Sequence, residues 1–400
     1  MIKTKYLILG AGPSGLSFAN KLLQSGEEDF LVLERYEEAG GLCRSTDVDG
    51  RPLDIGGGHF LDVRRQRVCE FVFGFMPEEE WDLYVRDSRI DMGDYIIGNP
   101  IEANIWQMPD QIQKEYLEAI KKAGCNTGEE CPEKFTEWIE WKLGSRICED
   151  YMLPYNKKMF GENLDLLGTY WLEKLPNVSY EDTLRSCEDH KPYGTQPGHA
   201  QFYYPKEYGY GEVWLRMAKA LGNRIKYNTA VTKLDMNSRT VNDEYQADYI
   251  ITTVPWKSFE CIEGLDESMA QDIESLRFTS VVIDYVPENL DTPAQWIYYP
   301  DSELSYHRIL VRHNFCPNSK GYWTETNLDR FDTKKNSTFY INDYAYPLNT
   351  IGKPQKMDKL LAFAKTKGIY GLGRWGEWQH FNSDVVVERA LDLCEELISK

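Results

Sequence analysis

Gly10, Gly12 and Gly15 stand at the spacing that lets a backbone approach a pyrophosphate. Glu34 follows at the distance where a carboxylate accepts the hydroxyls of a ribose. The chemistry these residues serve is the holding of a dinucleotide. Gly10 permits a tight turn, Gly12 has no Cβ to keep a phosphate away, and Gly15 lets a helix lie close to its strand. Two more glycine clusters come next, Gly40-Gly41-Leu42-Cys43-Arg44-Ser45 and Asp54-Ile55-Gly56-Gly57-Gly58-His59. Glycine pairs open backbone amides to an anion, and Arg44 adds a fixed positive charge beside them. Far along the chain, Arg308 and Arg374 sit among apolar and aromatic neighbours, which favours a cleft over a solvated face.

The elements that must position these residues are legible around them. Tyr6–Leu9 and Phe30–Leu33 are short apolar runs and predict strands; Pro13–Gln24 between them predicts a helix whose N-terminal N–H groups face the phosphates. Helical pattern covers Gln111–Ala123, Cys131–Leu143 and Arg146–Tyr151, punctuated by Pro109, Pro132 and Pro154. Strand pattern returns at Ile225–Tyr227, Ala230–Leu234 and Ala247–Val254. Phe278–Val286, Trp296–Tyr299, His307–His313 and Gly321–Thr326 alternate like antiparallel strands. Near the C-terminus, Tyr370–Arg374 reads as a strand into a glycine turn, and Asn382 or Ser383 can cap a helix Val385–Ser399. The expected fold is α/β: a discontinuous Rossmann-like dinucleotide-binding domain from residues 1–75, 200–255 and 365–400, a helical insertion over 105–195, and an antiparallel substrate sheet from 76–104 and 256–364.

The formal net charge of −19 argues against nucleic acid or an anionic membrane as partner, and makes any cluster of arginines in a cleft conspicuous. The 9 cysteines are unpatterned and odd in number, which suits reduced thiols and a cytoplasmic location. Cys125 and Cys131 bracket an acidic loop without further zinc ligands, so no metal is expected. The N-terminal apolar run is too short to span a bilayer and carries no signal-peptide pattern.

The acid followed by Gly-Gly-x-x-Arg-Ser and Asp-x-Gly-Gly-x-His resembles flavoproteins of the amine oxidase, protoporphyrinogen oxidase and UDP-galactopyranose mutase superfamily. The likeness to the mutases continues through Pro154–Phe160, Tyr170–Lys174, Tyr204-Pro205, Gly209–Trp214, Trp296–Pro300, Tyr306–Arg308, Asn314–Pro317, Tyr344–Pro347 and Gly373–Trp378. The resemblance implies FAD, held by Gly10, Gly12, Pro13, Ser14, Gly15, Glu34, Arg35, Gly41, Leu42, Arg44, Gly57, Gly58 and His59. Val231, Gly373, Arg374, Asn382 and Ser383 complete the implied cofactor set. It also implies a pyranose–furanose isomerisation of a UDP-galactose-like nucleotide sugar, through an adduct of the sugar with N5 of reduced flavin. His59, Arg308 and Arg374 would be the catalytic residues, with Arg308 and Arg374 on the diphosphate. Asn156, Trp171, Lys174, Tyr204, Tyr298 and Tyr346 would complete the substrate site. The alternative on the same frame is an FAD-dependent amine or protoporphyrinogen-type oxidase. The chain departs from the mutases at Lys174, where they carry arginine, and at Phe315 and His380, where they carry tyrosine.

Overall fold

A computed structural model describes residues 1–172, 176–195 and 200–399. The strand Ile2–Leu9 runs into the glycine turn, the helix Pro13–Gln24 leaves it, and the strand Phe30–Leu33 returns parallel to the first. Tyr6, Leu7, Ile8 and Leu9 are all buried. This continuous burial belongs to a parallel strand covered on both faces, and it explains an apolar run without alternation. The main sheet has the order Ile225–Lys226, Phe30–Leu33, Ile2–Leu9, Tyr245–Thr252, Thr240–Val241, Lys233–Asp235, Cys261–Glu263, and the strand Ile369–Gly371 also pairs with Tyr245–Thr252. Leu9 is level with Leu33 and with Thr252, and Thr252 with Gly371. Strands from three distant stretches therefore end together at the glycine turn, where open parallel sheets bind ligands.

The helices Gly211–Leu221 and Ser383–Ile398 pack on the helix Pro13–Gln24. The hairpin of Ser45–Val48 and Arg51–Asp54 brings the second and third glycine clusters together, and Ile55 N–H donates to the Arg44 carbonyl at 3.0 Å.

A second sheet of seven strands faces this layer, in the order Thr338–Pro347, Phe278–Val286, Tyr322–Asn327, Arg308–Leu310, Trp296–Tyr298, Ser88–Asp91, Ile96–Gly98. One pair in it, Trp296–Tyr298 with Ser88–Asp91, is parallel rather than antiparallel. Strand Trp81–Val85 pairs instead with Gln201–Pro205, in a three-stranded sheet completed by Leu61–Asp62. The helices Asp110–Lys121, Phe135–Ile147, Leu153–Phe160 and Tyr180–Asp189, with a π turn at Cys148–Met152, close the other side.

Two expected strands are shorter. The stretch His307–His313 pairs only over Arg308–Leu310 and then turns as a 3-10 helix, Arg312–Asn314. The buried Arg312 guanidinium draws it off the sheet by donating to the carbonyls of Val48, Arg51 and Pro52 on the hairpin. Of the stretch 230–234, only Lys233 onward is strand. The preceding residues border a cavity instead of pairing.

Candidate active site

The first cavity, of about 270 Å³, lies along the ends of the parallel strands. Gly10, Gly12, Pro13 and Ser14 line it, as do Glu34, Arg35, Gly41, Leu42, Arg44, His59, Val231, Arg374, Asn382 and Ser383. Gly41 has φ +55°, and a Cβ there would stand 3.1 Å from Gly12 Cα, so the two glycine loops meet backbone to backbone. Glu34 is buried; its carboxylate accepts the N–H of Ala11 at 2.7 Å and of Tyr36 at 3.0 Å, which fixes the acid beside the turn. Arg44 lies over the Tyr36 ring, 4.3 Å from its centroid, with Nε donating to the Gly41 carbonyl. The helices Pro13–Gln24 and Ser383–Ile398 both begin at this cavity, and neither has a side-chain cap. Uncapped N–H groups at two helix ends, a glycine cradle and a buried acid fit a dinucleotide with its phosphates and ribose. Neither Asn382 nor Ser383 caps by its side chain; Ser383 Oγ is instead 2.8 Å from the Tyr210 hydroxyl.

Gly15 and Gly373 do not line this cavity. A Cβ on Gly15 would stand 2.0 Å from the Gly10 carbonyl oxygen, so its place is the contact of helix with turn. Gly373 opens the short helix that carries Arg374, and its N–H donates to Glu377 at 2.9 Å. Gly57 and Gly58 line the second cavity rather than the first.

That second cavity, of about 380 Å³, shares Leu42, His59, Arg374, Asn382 and Ser383 with the first. His59 Nδ1 donates to the Gly57 carbonyl at 3.0 Å, which sets its tautomer. Arg308, Arg374, Tyr298, Tyr346, Asn156 and Trp171 all border this space. The phenols form a wall, with Tyr151 and Tyr155 rings 5.6 Å apart and Tyr155 and Tyr298 rings 5.5 Å apart. Burial holds the phenols of Tyr151, Tyr155 and Tyr346 above the ordinary tyrosine range, so each remains a neutral hydrogen-bond donor. Arg374 donates to the carbonyls of Phe381 and Ala345 at 2.8–3.0 Å and has no carboxylate in ion-pair contact among the described residues. Burial lowers its pKa from the ordinary value, and Arg308 adds to the shift.

Arg308 is held differently. Its Nε donates to Glu325 Oε2 at 2.7 Å and its Nη2 lies 2.6 Å from the same atom and 3.2 Å from the Tyr346 hydroxyl. Glu325 Oε1 accepts the Gly58 N–H at 3.2 Å. One buried carboxylate thus ties Arg308 to the loop that carries His59. Sequence reasoning missed Glu325. Its signal lay in Thr324-Glu325-Thr326-Asn327, a polar run inside a strand where apolar alternation is the rule. Arg86 was also missed. Its Nη2 donates to the Tyr298 hydroxyl at 2.7 Å, and its guanidinium lies 5.0 Å from the centre of the Trp296 ring. Nothing local marks it, since it sits between strands that belong to different sheets.

Tyr204 is a correction. It is buried away from the cavity, its hydroxyl donating to Asp54 at 3.0 Å and its ring 5.0 Å from Phe315. It lies on the strand Gln201–Pro205, whose inward face fills the core. Phe315 belongs to the same aromatic cluster and does not border the cavity, so the hydroxyl it lacks is not missing from the site. His380 does border it, its ring 4.8 Å from Tyr346. Lys174 lies outside the described residues. All nine cysteines are free, and no group of three metal-ligating side chains forms among the described residues. No helix among them is long and apolar enough to cross a membrane.

Residues 8–72 match the family of NAD(P)-binding Rossmann-like domains. The chain is 48% identical over 108 residues to an uncharacterized protein in the nifH2 3′ region of Methanothermococcus thermolithotrophicus, a match covering 26% of this chain and 97% of that protein. The chain belongs to the family of that protein. It is 21% identical over 350 residues to an L-amino-acid oxidase of Protobothrops flavoviridis, covering 75% of this chain and 65% of the oxidase. In structure it matches a reduced UDP-galactopyranose mutase with a TM-score of 0.88 at 21% identity, over 100% of this chain and 94% of that one. A putative protoporphyrinogen oxidase from Exiguobacterium sp. 255-15 matches with a TM-score of 0.70 at 14% identity, over 99% of both chains. The fold is that of the mutase and oxidase flavoproteins, as the glycine clusters and Glu34 imply.

Proposed function

We propose that this protein is a flavin-dependent enzyme acting on a nucleotide sugar, and that it interconverts pyranose and furanose forms of a UDP-galactose-like substrate. One observation carries the reading. In a chain of formal net charge −19, Arg86, Arg308 and Arg374 line one cavity that opens onto the dinucleotide cradle. A cationic pocket in an acidic protein selects an anionic ligand, and a diphosphate suits guanidinium forks.

FAD in the cradle, in its reduced form, would supply the nucleophile that displaces the nucleoside diphosphate from the sugar. The chain's own residues account for the rest. Arg374 keeps two N–H groups beyond those donated to Phe381 and Ala345, and Arg308 keeps Nη1 beyond its contact with Glu325. Both can hold the departing diphosphate so that it returns to the same carbon. The Tyr346 hydroxyl, 3.2 Å from Arg308, stays protonated and donates to the same oxygens. His59 lies on the loop between the two cavities, and Tyr151, Tyr155 and Tyr298 wall the space that the sugar would take.

A second reading is an oxidase of amines or protoporphyrinogen-type rings, supported by the aromatic wall and by the named functions of the relatives. An amine substrate would be repelled by the three arginines. The test incubates dithionite-reduced protein anaerobically with a panel of nucleotide sugars and follows ring form by chromatography. The isomerase reading expects many turnovers per reduced flavin and none from oxidised protein. Peroxide formed stoichiometrically with an amine, and no isomerisation, would replace it with the oxidase.

A further inference from the structure

Glu102 is the unusual acid of the second cavity. It lines the space on the short turn Ile101–Ala103, is only 7% exposed, and its carboxyl meets its own backbone N–H but forms no ion pair and no hydrogen bond to another side chain among the described residues. Its place along the cavity follows from a run of contacts. Arg374 lies against Tyr346, Tyr346 against Arg308, Tyr298 against Tyr155, and Tyr155 against Tyr151. Glu102 comes next, within electrostatic reach of Tyr151. The acid therefore stands beyond the tyrosine wall, on the helical side, where Phe135 and Trp138 also line the space. A diphosphate held between Arg308 and Arg374 leaves this end of the cavity for the base.

Resting on the nucleotide-sugar reading, we propose that Glu102 selects the base, and that its protonation state decides which base it accepts. As a carboxylic acid it offers one donor and one acceptor side by side. That pattern matches the imide edge of uracil, where N3–H stands beside a carbonyl. As a carboxylate it is acceptor-only, which opposes the uracil carbonyl but matches the adjacent N1–H and N2–H donors of guanine. Burial of the carboxyl holds it near the boundary, at about 7. Its own backbone N–H opposes burial by favouring the ionised form. Lys142 on the helix Phe135–Ile147 favours the ionised form from a distance, with its Nζ engaged by Asn177 at 2.9 Å. Tyr151 is neutral, and Arg86 faces Tyr151 and Tyr298. The helix Tyr180–Asp189 packs on the same turn and buries Thr183 and Ser186, with Glu181, Arg185, Glu188 and Asp189 exposed and Asp182 partly so. The packed turn Ile105–Gln107 and the strand Ile96–Gly98 carry no ionisable side chain.

The test measures binding of UDP and GDP to the flavin-loaded protein by flavin fluorescence, near pH 6 and near pH 8.5. The two ligands share a diphosphate, so its ionisation cancels in the ratio of their affinities. With a midpoint at about 7, the preference for UDP over GDP should fall by about thirtyfold or more across that range. In Glu102→Gln, whose amide always offers one donor and one acceptor, the preference should stay with UDP at both pH values. A ratio that does not move with pH in the unaltered protein overturns the proposal while leaving nucleotide binding intact. So does a Glu102→Gln ratio that still moves as in the unaltered protein. Absence of binding by either nucleotide, with flavin content normal, overturns the nucleotide-sugar reading and this proposal with it.

Discussion

Replacing Glu325 by glutamine should make the protein less stable and a better binder of nucleoside diphosphate. Glu325 is 1% exposed and holds the Nε and Nη2 groups of Arg308 through one oxygen and the Gly58 N–H through the other. Glutamine keeps one acceptor, so its amide NH₂ must face either the guanidinium or the Gly58 N–H. Disrupting a buried ion pair in this way costs about 3 kcal/mol. In a chain of 400 residues that lowers the melting temperature by about 4 °C. Binding should move the other way. A diphosphate on Arg308 would stand about 6.5 Å from the carboxylate, one guanidinium width away. At an effective dielectric constant of about 20, removing one negative charge at that distance favours each ligand charge by about 2.5 kcal/mol, an upper limit of about seventyfold per unit charge. Calorimetric titration of UDP into Glu325→Gln should therefore show affinity raised about tenfold or more, with Arg308→Gln lowered comparably. The double variant, in which the two charges leave together, should return toward the original value. Glu325→Gln binding that is unchanged within threefold, or weaker, at normal flavin content would refute the claim that Arg308 reads an anion.

Glu34→Ala removes the acceptor of the Ala11 and Tyr36 N–H groups, and it should lower the flavin retained through purification, read from the chromophore released on denaturation. Gly15→Ala places a methyl group 2.0 Å from the Gly10 carbonyl oxygen; it should cost about 1–3 kcal/mol and reduce flavin content, both measured in a denaturant titration with and without added FAD. Burial raises the carboxyl of Asp54 from 3.8 to about 6, against donors from Ser45, Tyr204 and Tyr210. A raised acid stabilises the fold fully below its unfolded value, and that contribution is lost as pH rises through about 6. Asp54→Asn should therefore flatten the fall in melting temperature between about pH 4 and pH 7, and an unchanged slope would show that burial does not govern this carboxyl.

The dinucleotide cradle was readable from the sequence because its parts are neighbours in the chain. Strand, glycine turn, helix, strand and acid follow one another within 34 residues, and each acts through backbone geometry that glycine spacing alone dictates. The strand Phe278–Val286 and the helix Pro13–Gln24 appear with the expected boundaries for the same reason, since period and terminal residues are local signals. The second cavity is different, because long-range pairing decides what a polar side chain there does. Arg308 stood out as a candidate for a phosphate, yet only the register that sets it opposite Glu325 shows half of its fork already engaged. Tyr204 looked like a site residue and became core, because its hydroxyl partner, Asp54, lies 150 positions away. Asn382 and Ser383 have the residue types of helix caps, but the tertiary fold directs Ser383 to Tyr210 and leaves the helix end open to the cavity. Glu102 and Arg86 carry no local mark at all. Residue type and spacing set what a group is able to do, whereas burial and the partner brought across the fold decide its charge and which of its hydrogen bonds remain for a ligand.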